Sequence, residues 1–495
     1  MHKVHIIGSG FSSLATGCYL AKAGYEVTLL EKNNTIGGRA REMHKDGFRF
    51  DMGPSWYWMP DVFDKFFQDF GHQTSDFYEL IKLSPSYRVH FEDEEYIDVP
   101  DSLEEIYKVF DQLEPGSAVR LKEFLALAKT NYEIAMKDLV YKPGLSPLEL
   151  VTPSTALRLN QFIQTVSSQV RKRFTNPKLI KILEFPVLFL GAKPQNTPGF
   201  YNFMNWADFG LGTWYPKGGM VQVIKGMEKL FLSLGGKIET NSPVDKIEYA
   251  NNRATGLIVN GETITSDIIV SGADYNHTET LLDETKRNYS EHYWDKKTFA
   301  PSSLLFYIGF KKKLANVKHH MLFFDTNFEK HASEIYDAPK WPSNPLFYAN
   351  FTSTTDPSDA PVGHDNGFLL IPLAPGLEDS KELHEKYFDM VISRLEKQTK
   401  QSLKNAILFK ESYGIQNFIN DYNAYKGNAY GMANTLTQTA FLRPKIKNKK
   451  LTNLYYTGQL TVPGPGVPPS LISGKIVSDQ IIKEHLITRD HETVI

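Results

Sequence analysis

The sequence predicts an α/β protein: a parallel sheet of the dinucleotide-binding type, discontinuous in sequence, carrying a second domain of mixed α+β character. Three observations predict it. The segment "VHIIGSGFSSLATGCYLAKAGYEVTLLEK" (4–32) reads as strand, glycine-rich turn, helix and second strand. An α/β pattern returns at about 214–274 after a long interval without one. The chain then closes on "NLYYTG", a proline-rich loop and a helix. The nucleotide domain is therefore expected at 1–75, 214–290 and 445–495, and the second, substrate-binding domain at 76–213 and 291–444.

In the first unit the pattern G-x-G-x-x-G is complete except that Ser13 takes the third slot. Gly8 permits the sharp bend, and Gly10 lets the backbone approach a pyrophosphate seated on the positive end of the helix. The third slot serves helix–strand packing, where serine is only slightly larger than glycine, and Gly17 keeps the same helix face slim. The motif survives the substitution. Glu31, at the end of the second strand, is placed to bind ribose hydroxyls and to repel a 2′-phosphate, which disfavours NADP.

The next segment, "NNTIGGRAREMHKDGFRFDMGPSWYW" (33–58), separates FAD from NAD. Gly37-Gly38 with Arg39, then Gly47-Phe48, Asp51 and Gly53-Pro54, resemble the second signature of the flavoprotein superfamily that includes the amine oxidases. Gly38 lets amides meet a second part of the pyrophosphate, and Arg39 adds a charge-assisted bond. The cofactor is expected to be FAD, in a Rossmann-like domain of the amine-oxidase/glutathione-reductase type. "DIIVSGAD" (267–274) is a strand leading into a turn, but it lacks a second G-x-G-x-x-G. A nicotinamide partner has no obvious seat, so oxygen or a quinone is expected to take the electrons.

Composition bounds the remainder. Hydrophobic content of 41% and charged content of 23% are those of an ordinary globular protein, and a net charge of −2 offers no basic field for nucleic acid. The lone cysteine, Cys18, excludes an intramolecular disulfide and reads as a small core residue in a reducing compartment. A strand beginning at residue 4 leaves no room for a signal sequence, so a cytoplasmic location is expected. The longest apolar run, 182–190, is interrupted by Glu184 and Pro186 and is too short to span a bilayer. The second α/β stretch gives a helix at about 219–234, a strand running into Val244, a hairpin at Asn260-Gly261 and a buried strand at 267–271. Ligands of open α/β sheets lie beyond the carboxyl ends of the strands, which places Gly8, Gly53, Ala273 and Gly458 on one face. Scattered histidines, including His319-His320, lack metal-ligand spacing; no metal is expected, and an exposed or structural role is assigned to them.

With both signatures present, the whole chain resembles the bacterial-type carotenoid desaturases, the family of phytoene desaturase, from residue 3 to about 485. The most specific match is "NLYYTGQLTVPGPGVPPSLISGK" (453–475), and "WYPKGGM" (214–220), "DPSDAPVG" (356–363) and "QTAFLRP" (438–444) match further family blocks in order. Pro465 and Pro469 depart from the family's small residue and glycine and should stiffen that loop. In residue terms, Gly458 ends a strand where backbone approaches cofactor, and Pro469 fits the first turn of the last helix. Ser473 and Gly474 are expected to keep that helix thin beside isoalloxazine or substrate. The residues expected at the cofactor are Gly8, Gly10, Phe11, Ser12, Glu31, Lys32, Gly38, Arg39, Pro54, Ser55, Trp56, Val244, Gly458, Gly466, Val467 and Pro468.

The resemblance implies dehydrogenation of a long acyclic C40 carotenoid: hydride passes to FAD, a neighbouring proton leaves, and a C=C forms. A 1-hydroxycarotenoid 3,4-desaturase is favoured over a phytoene desaturase. An allylic cation spread along a polyene needs little help from a strong base, so no catalytic residue is named. The clusters "WYW" (56–58), "FPVLFLG" (185–191), "GFYNFMNW" (199–206) and "SLLFYIGF" (303–310) fit a substrate tunnel as well as a core. Residues 156–174 place Leu159, Phe162, Ile163, Val166 and Val170 at helical spacing with Arg171, Lys172 and Arg173 at one end. That suits a helix lying peripherally on a membrane, or one packing on the domain. The alternatives are a carotenoid isomerase, an FAD-dependent amine oxidase, and a prenyl-binding escort protein without redox chemistry.

Overall fold

The computed structural model describes residues 2–152, 163–435 and 437–485. Five parallel strands form the first sheet, in the order Leu454–Tyr456, Ile268–Ser271, Lys3–Ile7, Glu26–Leu30 and Lys237–Glu239. The three stretches of chain that supply them are far apart in sequence, and each strand except the exposed edge strand Lys237–Glu239 is rich in apolar residues because both sheet faces are covered. The first helix, Phe11–Lys22, is capped by Gly10 and lies between the helices Val221–Ser233 and Val467–Glu484.

Small residues set the spacing of these layers. A Cβ at Gly17 would lie 2.9 Å from the Phe231 ring. Ser13, in the third glycine slot, is fully buried, and a Cβ at Gly272 would lie 2.0 Å from its Oγ. The atoms missing from Gly272 make the room that Ser13 uses. Gly474 is also a packing glycine: its Cβ would sit 2.6 Å from Ala15 Cβ and 2.7 Å from Ser12 O. It therefore thins the closing helix toward the first helix rather than toward a ligand. Pro468 and Pro469 occupy that helix's first turn, where no backbone donor is needed.

In the second α/β stretch the strand begins at Val244 instead of ending there; the preceding strand is Lys237–Glu239. The hairpin turns on Asn260 and Gly261 at φ of 50° and 80°, the two left-handed residues of a tight two-residue loop.

A seven-stranded mixed sheet builds the second region, in the order Ile407–Tyr413, Ser302–Phe310, Asp365–Leu373, Phe347–Asn350, His320–Phe324, Tyr87–Phe91 and Tyr96–Val99. Strand alternation divides its faces. Leu304, Phe306, Ile308, Leu369, Ile371 and Phe323 pack under the helix Lys381–Thr399. Leu305, Leu370, Tyr348 and Leu322, aligned by register across four strands, face the other way.

A buried ionic cluster joins the strand Phe48–Asp51, the strand Trp214–Pro216 and the turn Pro357–Asp359. Asp359 accepts from Arg49 Nε and Nη2 at 2.6 and 2.8 Å and from Tyr215 Oη at 2.7 Å, while Arg49 Nη1 donates to Asp51 at 3.1 Å. Three of the sequence blocks singled out above meet here. Gly219, at φ +90°, is confined to glycine because a Cβ would overlap Arg49 Nη1 at 2.0 Å. Removing one partner of such a buried pair costs about 3–5 kcal/mol.

Of the 156–174 segment, residues 156–162 lie outside the described residues. The remainder is a short helix, Val166–Arg171, capped by Thr165, with Val166 and Val170 fully buried. Its basic end is engaged by Glu184, which accepts from Arg171 Nε at 2.9 Å. This part packs as an ordinary domain helix.

Candidate active site

One cavity of about 770 Å³ runs from the carboxyl edge of the parallel sheet to the inner face of the mixed sheet. Every residue expected at the cofactor lines it, and so do Gly53 and Ala273. Gly8, Ala273 and Gly458 each follow a parallel strand, so their backbones converge on one rim.

At that rim Gly8 holds φ +90°, a backbone conformation that favours glycine, and packs against the backbone of Gly272 and Ala273. A Cβ on Gly10 would meet nothing within 4 Å, because the position opens on the cavity. Gly38, at φ +56°, lies against Gly10, where a Cβ would be 3.3 Å from its Cα. The helix that starts at Gly10 receives no side-chain cap, so its first amides are available to an anion. Arg39 stands beside it. Its guanidinium is buried, donates through Nη2 to Asn428 O at 3.2 Å and lies over the Tyr422 ring at 5.1 Å. With the Gln459 amide oxygen turned toward it, Nη1 and Nη2 also reach that oxygen at 3.2 and 3.1 Å. Arg39 Nε has no partner among the described residues, and burial, partly offset by Asp274, lowers its pKa. A buried cation with an open donor, next to uncapped helix amides, fits a diphosphate.

Glu31 is buried and accepts four bonds: Ser9 N and Oγ at 3.1 and 2.6 Å, Asn33 N and Nδ2 at 2.9 and 3.0 Å. It organises both turns of the rim, and a ribose hydroxyl would exchange with the Ser9 hydroxyl. Lys32 lines the cavity, but its ammonium turns to Asn420 O and Asn423 Oδ1 at 2.6 and 3.0 Å. His277 faces the same end. Its Nε2 accepts from Asn423 Nδ2 at 3.0 Å, and burial lowers its pKa to about 4, so it is neutral.

Beyond the rim, Pro54, Ser55 and Trp56 lead into an apolar arm. A Cβ on Gly53 would fall 2.2 Å from Arg39 O, which fixes this turn against the anion site. Of the aromatic clusters, Trp56, Trp58, Phe185, Leu188, Met204 and Leu305 line the arm, whereas Tyr57 is fully buried against Phe63. Tunnel and core are thus divided residue by residue within each cluster. His331 is the arm's imidazole. Its Nδ1 accepts from Leu346 N at 2.9 Å and its Nε2 donates to Pro372 O at 3.0 Å, so both nitrogens are used; burial holds its pKa near about 4. His319 and His320 are buried, not exposed. They sit behind Trp56, with His320 stacked on its indole at 4.0 Å.

Sequence reading missed Ser9, a variable position inside the G-x-G-x-x-G turn, and Asn33, directly after Glu31-Lys32, as well as Asn423, Asn428, Tyr348 and His331, which stand in no spaced motif. Gln459 carried one signal, its place directly after Gly458.

The matching family model is that of the flavin containing amine oxidoreductases, over residues 12–482. The chain is 40% identical, over 97% of its length and 98% of the relative's, to a carotenoid 3,4-desaturase of Haloarcula japonica. It is 27% identical, over 97% and 94%, to a zeta-carotene-forming phytoene desaturase of Myxococcus xanthus. Among solved structures, an oxidoreductase from Methanosarcina mazei superposes with a TM-score of 0.62 at 17% identity, covering 96% of this chain and 100% of that one. The glycine rim, the buried Arg39 and the full-length match agree, and the chain belongs to the flavin containing amine oxidoreductase family.

Proposed function

We propose that the protein is an FAD-dependent carotenoid desaturase, and that within this class it forms the 3,4 double bond of an acyclic C40 carotenoid. The observation that carries the reading is the 40% identity to the Haloarcula japonica desaturase over nearly all of both chains, set against 27% for the phytoene desaturase. The apolar arm supports it. Its wall of Phe185, Leu188, Leu322, Phe324 and Leu370 suits a hydrocarbon chain.

Bound FAD supplies the hydride acceptor. The chain's own residues bind and orient. Gly8, Gly10 and Gly38 admit the diphosphate to backbone amides, Arg39 balances its charge, and Glu31 holds the rim that receives the ribose. The Ser55–Trp56 turn stands between this site and the arm and aligns the polyene where the two spaces join. The arm's histidine and tyrosines are neutral, so they set no like charge beside a developing cation.

Two further parts of the reading concern partners. Oxygen or a quinone takes the electrons, in keeping with the single G-x-G-x-x-G unit. A membrane surface delivers the substrate: Leu145, Leu148, Val151 and Ile163 are exposed, at 53%, 75%, 69% and 78%, on both sides of 153–162. No helix of the described residues is long and apolar enough to cross a membrane. The test of substrate class is to give the FAD-loaded enzyme a 1-hydroxylated acyclic carotenoid and phytoene separately. The hydroxylated substrate should be turned over faster, read as the rate at which red-shifted product appears; faster turnover of phytoene would reassign the enzyme.

A further inference from the structure

Desaturation releases a proton as well as a hydride, and the cavity wall offers few places for it. Asp274 is spent on Asn276 N, His277 N and Tyr425 N, and His331 has both nitrogens bonded. Tyr348 differs. It lines the cavity on the strand Phe347–Asn350, in the row of Leu305, Leu370 and Leu322, and its hydroxyl lies 3.0 Å from Ser55 Oγ. Behind it, His320 Nδ1 is 2.6 Å away.

The neighbours fix the direction of these bonds. Asn350 Nδ2 donates to His319 O at 3.0 Å and stands 3.2 Å from His320 Nδ1, so that nitrogen is an acceptor and the hydrogen of His320 is on Nε2. With His320 Nδ1 an acceptor, the Tyr348 hydrogen has two acceptors, His320 Nδ1 at 2.6 Å and Ser55 Oγ at 3.0 Å, and the phenol oxygen keeps a lone pair for the cavity. His320 Nε2 and His319 Nε2 have no partner among the described residues, and the two rings are 4.5 Å apart. His319 Nδ1 reaches Thr355 Oγ1 at 2.7 Å, and Thr355 is half-buried, at the edge of the fold.

We infer that Tyr348 is the catalytic proton acceptor of the desaturation and that His320, behind it, is the positioning residue that takes the tyrosine's own hydrogen. The inference rests on the desaturase reading. As hydride leaves one carbon for the flavin, the C–H bond on the adjacent carbon breaks and its electron pair becomes the new π bond. That proton goes to the Tyr348 oxygen while the tyrosine's own hydrogen passes to His320 Nδ1, so the tyrosine stays neutral. His320 then carries that proton as an imidazolium. Burial holds His320 well below its ordinary pKa, as does the neighbouring His319. That weak basicity is sufficient here, because a proton next to an allylic cation is strongly acidic.

The experiment is anaerobic single-turnover reduction of the FAD-loaded enzyme by carotenoid, in H2O and D2O, for the wild type, Tyr348→Phe and His320→Gln. Flavin spectrum and carotenoid affinity are measured alongside. Wild type should show a solvent isotope effect. Tyr348→Phe should bleach the flavin about 100-fold more slowly, lose that effect and bind FAD and carotenoid as before. His320→Gln, which still accepts from Tyr348 but cannot relay, should be slowed with carotenoid affinity unchanged. Independently of turnover, 15N spectra of labelled histidine should show His320 neutral with its hydrogen on Nε2. A Tyr348→Phe rate within twofold of wild type, or a wild-type rate indifferent to D2O, overturns the inference while leaving the desaturase reading intact. A wild-type flavin that no carotenoid bleaches overturns that reading instead. Should Tyr348→Phe lose flavin or fold, the His320→Gln rate and the histidine spectra decide alone.

Discussion

At the scale of single residues, glycines divide into two kinds that sequence spacing does not separate. Gly10 opens on the cavity at an ordinary φ of −73°, whereas Gly474 is enclosed by the first helix. Gly10→Leu should therefore fold with a normal melting temperature and bind no FAD, because the side chain fills the diphosphate's place. Gly474→Leu should fail to fold stably. Flavin absorbance and thermal melts of both variants check this; full flavin occupancy in Gly10→Leu would displace the site. A second residue makes a pH prediction. Asp208 is buried, accepts from Tyr87 Oη at 2.7 Å and leaves Oδ1 without a partner among the described residues. Burial pushes its pKa up to about 8, with the Tyr87 bond opposing. A raised carboxyl holds a proton in the folded state that the unfolded chain releases. Stability therefore falls as pH rises from the ordinary carboxylate range toward about 8, by at most about 1.4 kcal/mol per unit. Asp208→Asn keeps an acceptor for Tyr87 and removes the titration, so its melting temperature should vary less between about pH 5 and 8; parallel curves would contradict the assignment.

Among elements, what could be read from sequence was what local backbone geometry demands. The strand–turn–helix at Gly8 to Glu31, the Gly37-Gly38 turn and the Asn260-Gly261 hairpin are each specified by residues a few positions apart. Ser13 was readable as tolerable, but not why: its compensation lies in Gly272. The far wall was not legible, since Tyr348 reaches Ser55 from 293 residues away and its strand's period-two pattern is that of any buried strand. The 156–174 segment was read as lying on a membrane or packing on the domain, and its described helix packs. The apolar positions expected to insert include Val166 and Val170, which are core, while the exposed apolar residues Leu148 and Val151 lie before 153–162 in a short turn with no helical spacing. Changing Leu148, Val151 and Ile163 together to serine should reduce co-sedimentation with liposomes at least several-fold and leave the flavin spectrum unchanged. Unchanged sedimentation would remove this face as the docking element.

In the whole molecule, the mixed sheet does two jobs with one alternation. Its Leu304 face stabilises a core under a helix, and its Leu305 face forms the wall of the cavity. The Arg49–Asp359 cluster ties the strand Phe48–Asp51 to the turn Pro357–Asp359 that precedes the mixed-sheet strand Asp365–Leu373, and the nucleotide rim and the apolar arm form one continuous space. That continuity is what couples a flavin to a polyene. It is tested most directly by mixing the FAD-loaded protein with an acyclic C40 carotenoid in the absence of oxygen. The oxidised flavin band should bleach as the carotenoid absorption shifts to longer wavelength, and oxygen or a quinone should restore the band. An unchanged carotenoid spectrum, formation of NADPH, or oxidation of an amine with release of hydrogen peroxide would contradict it.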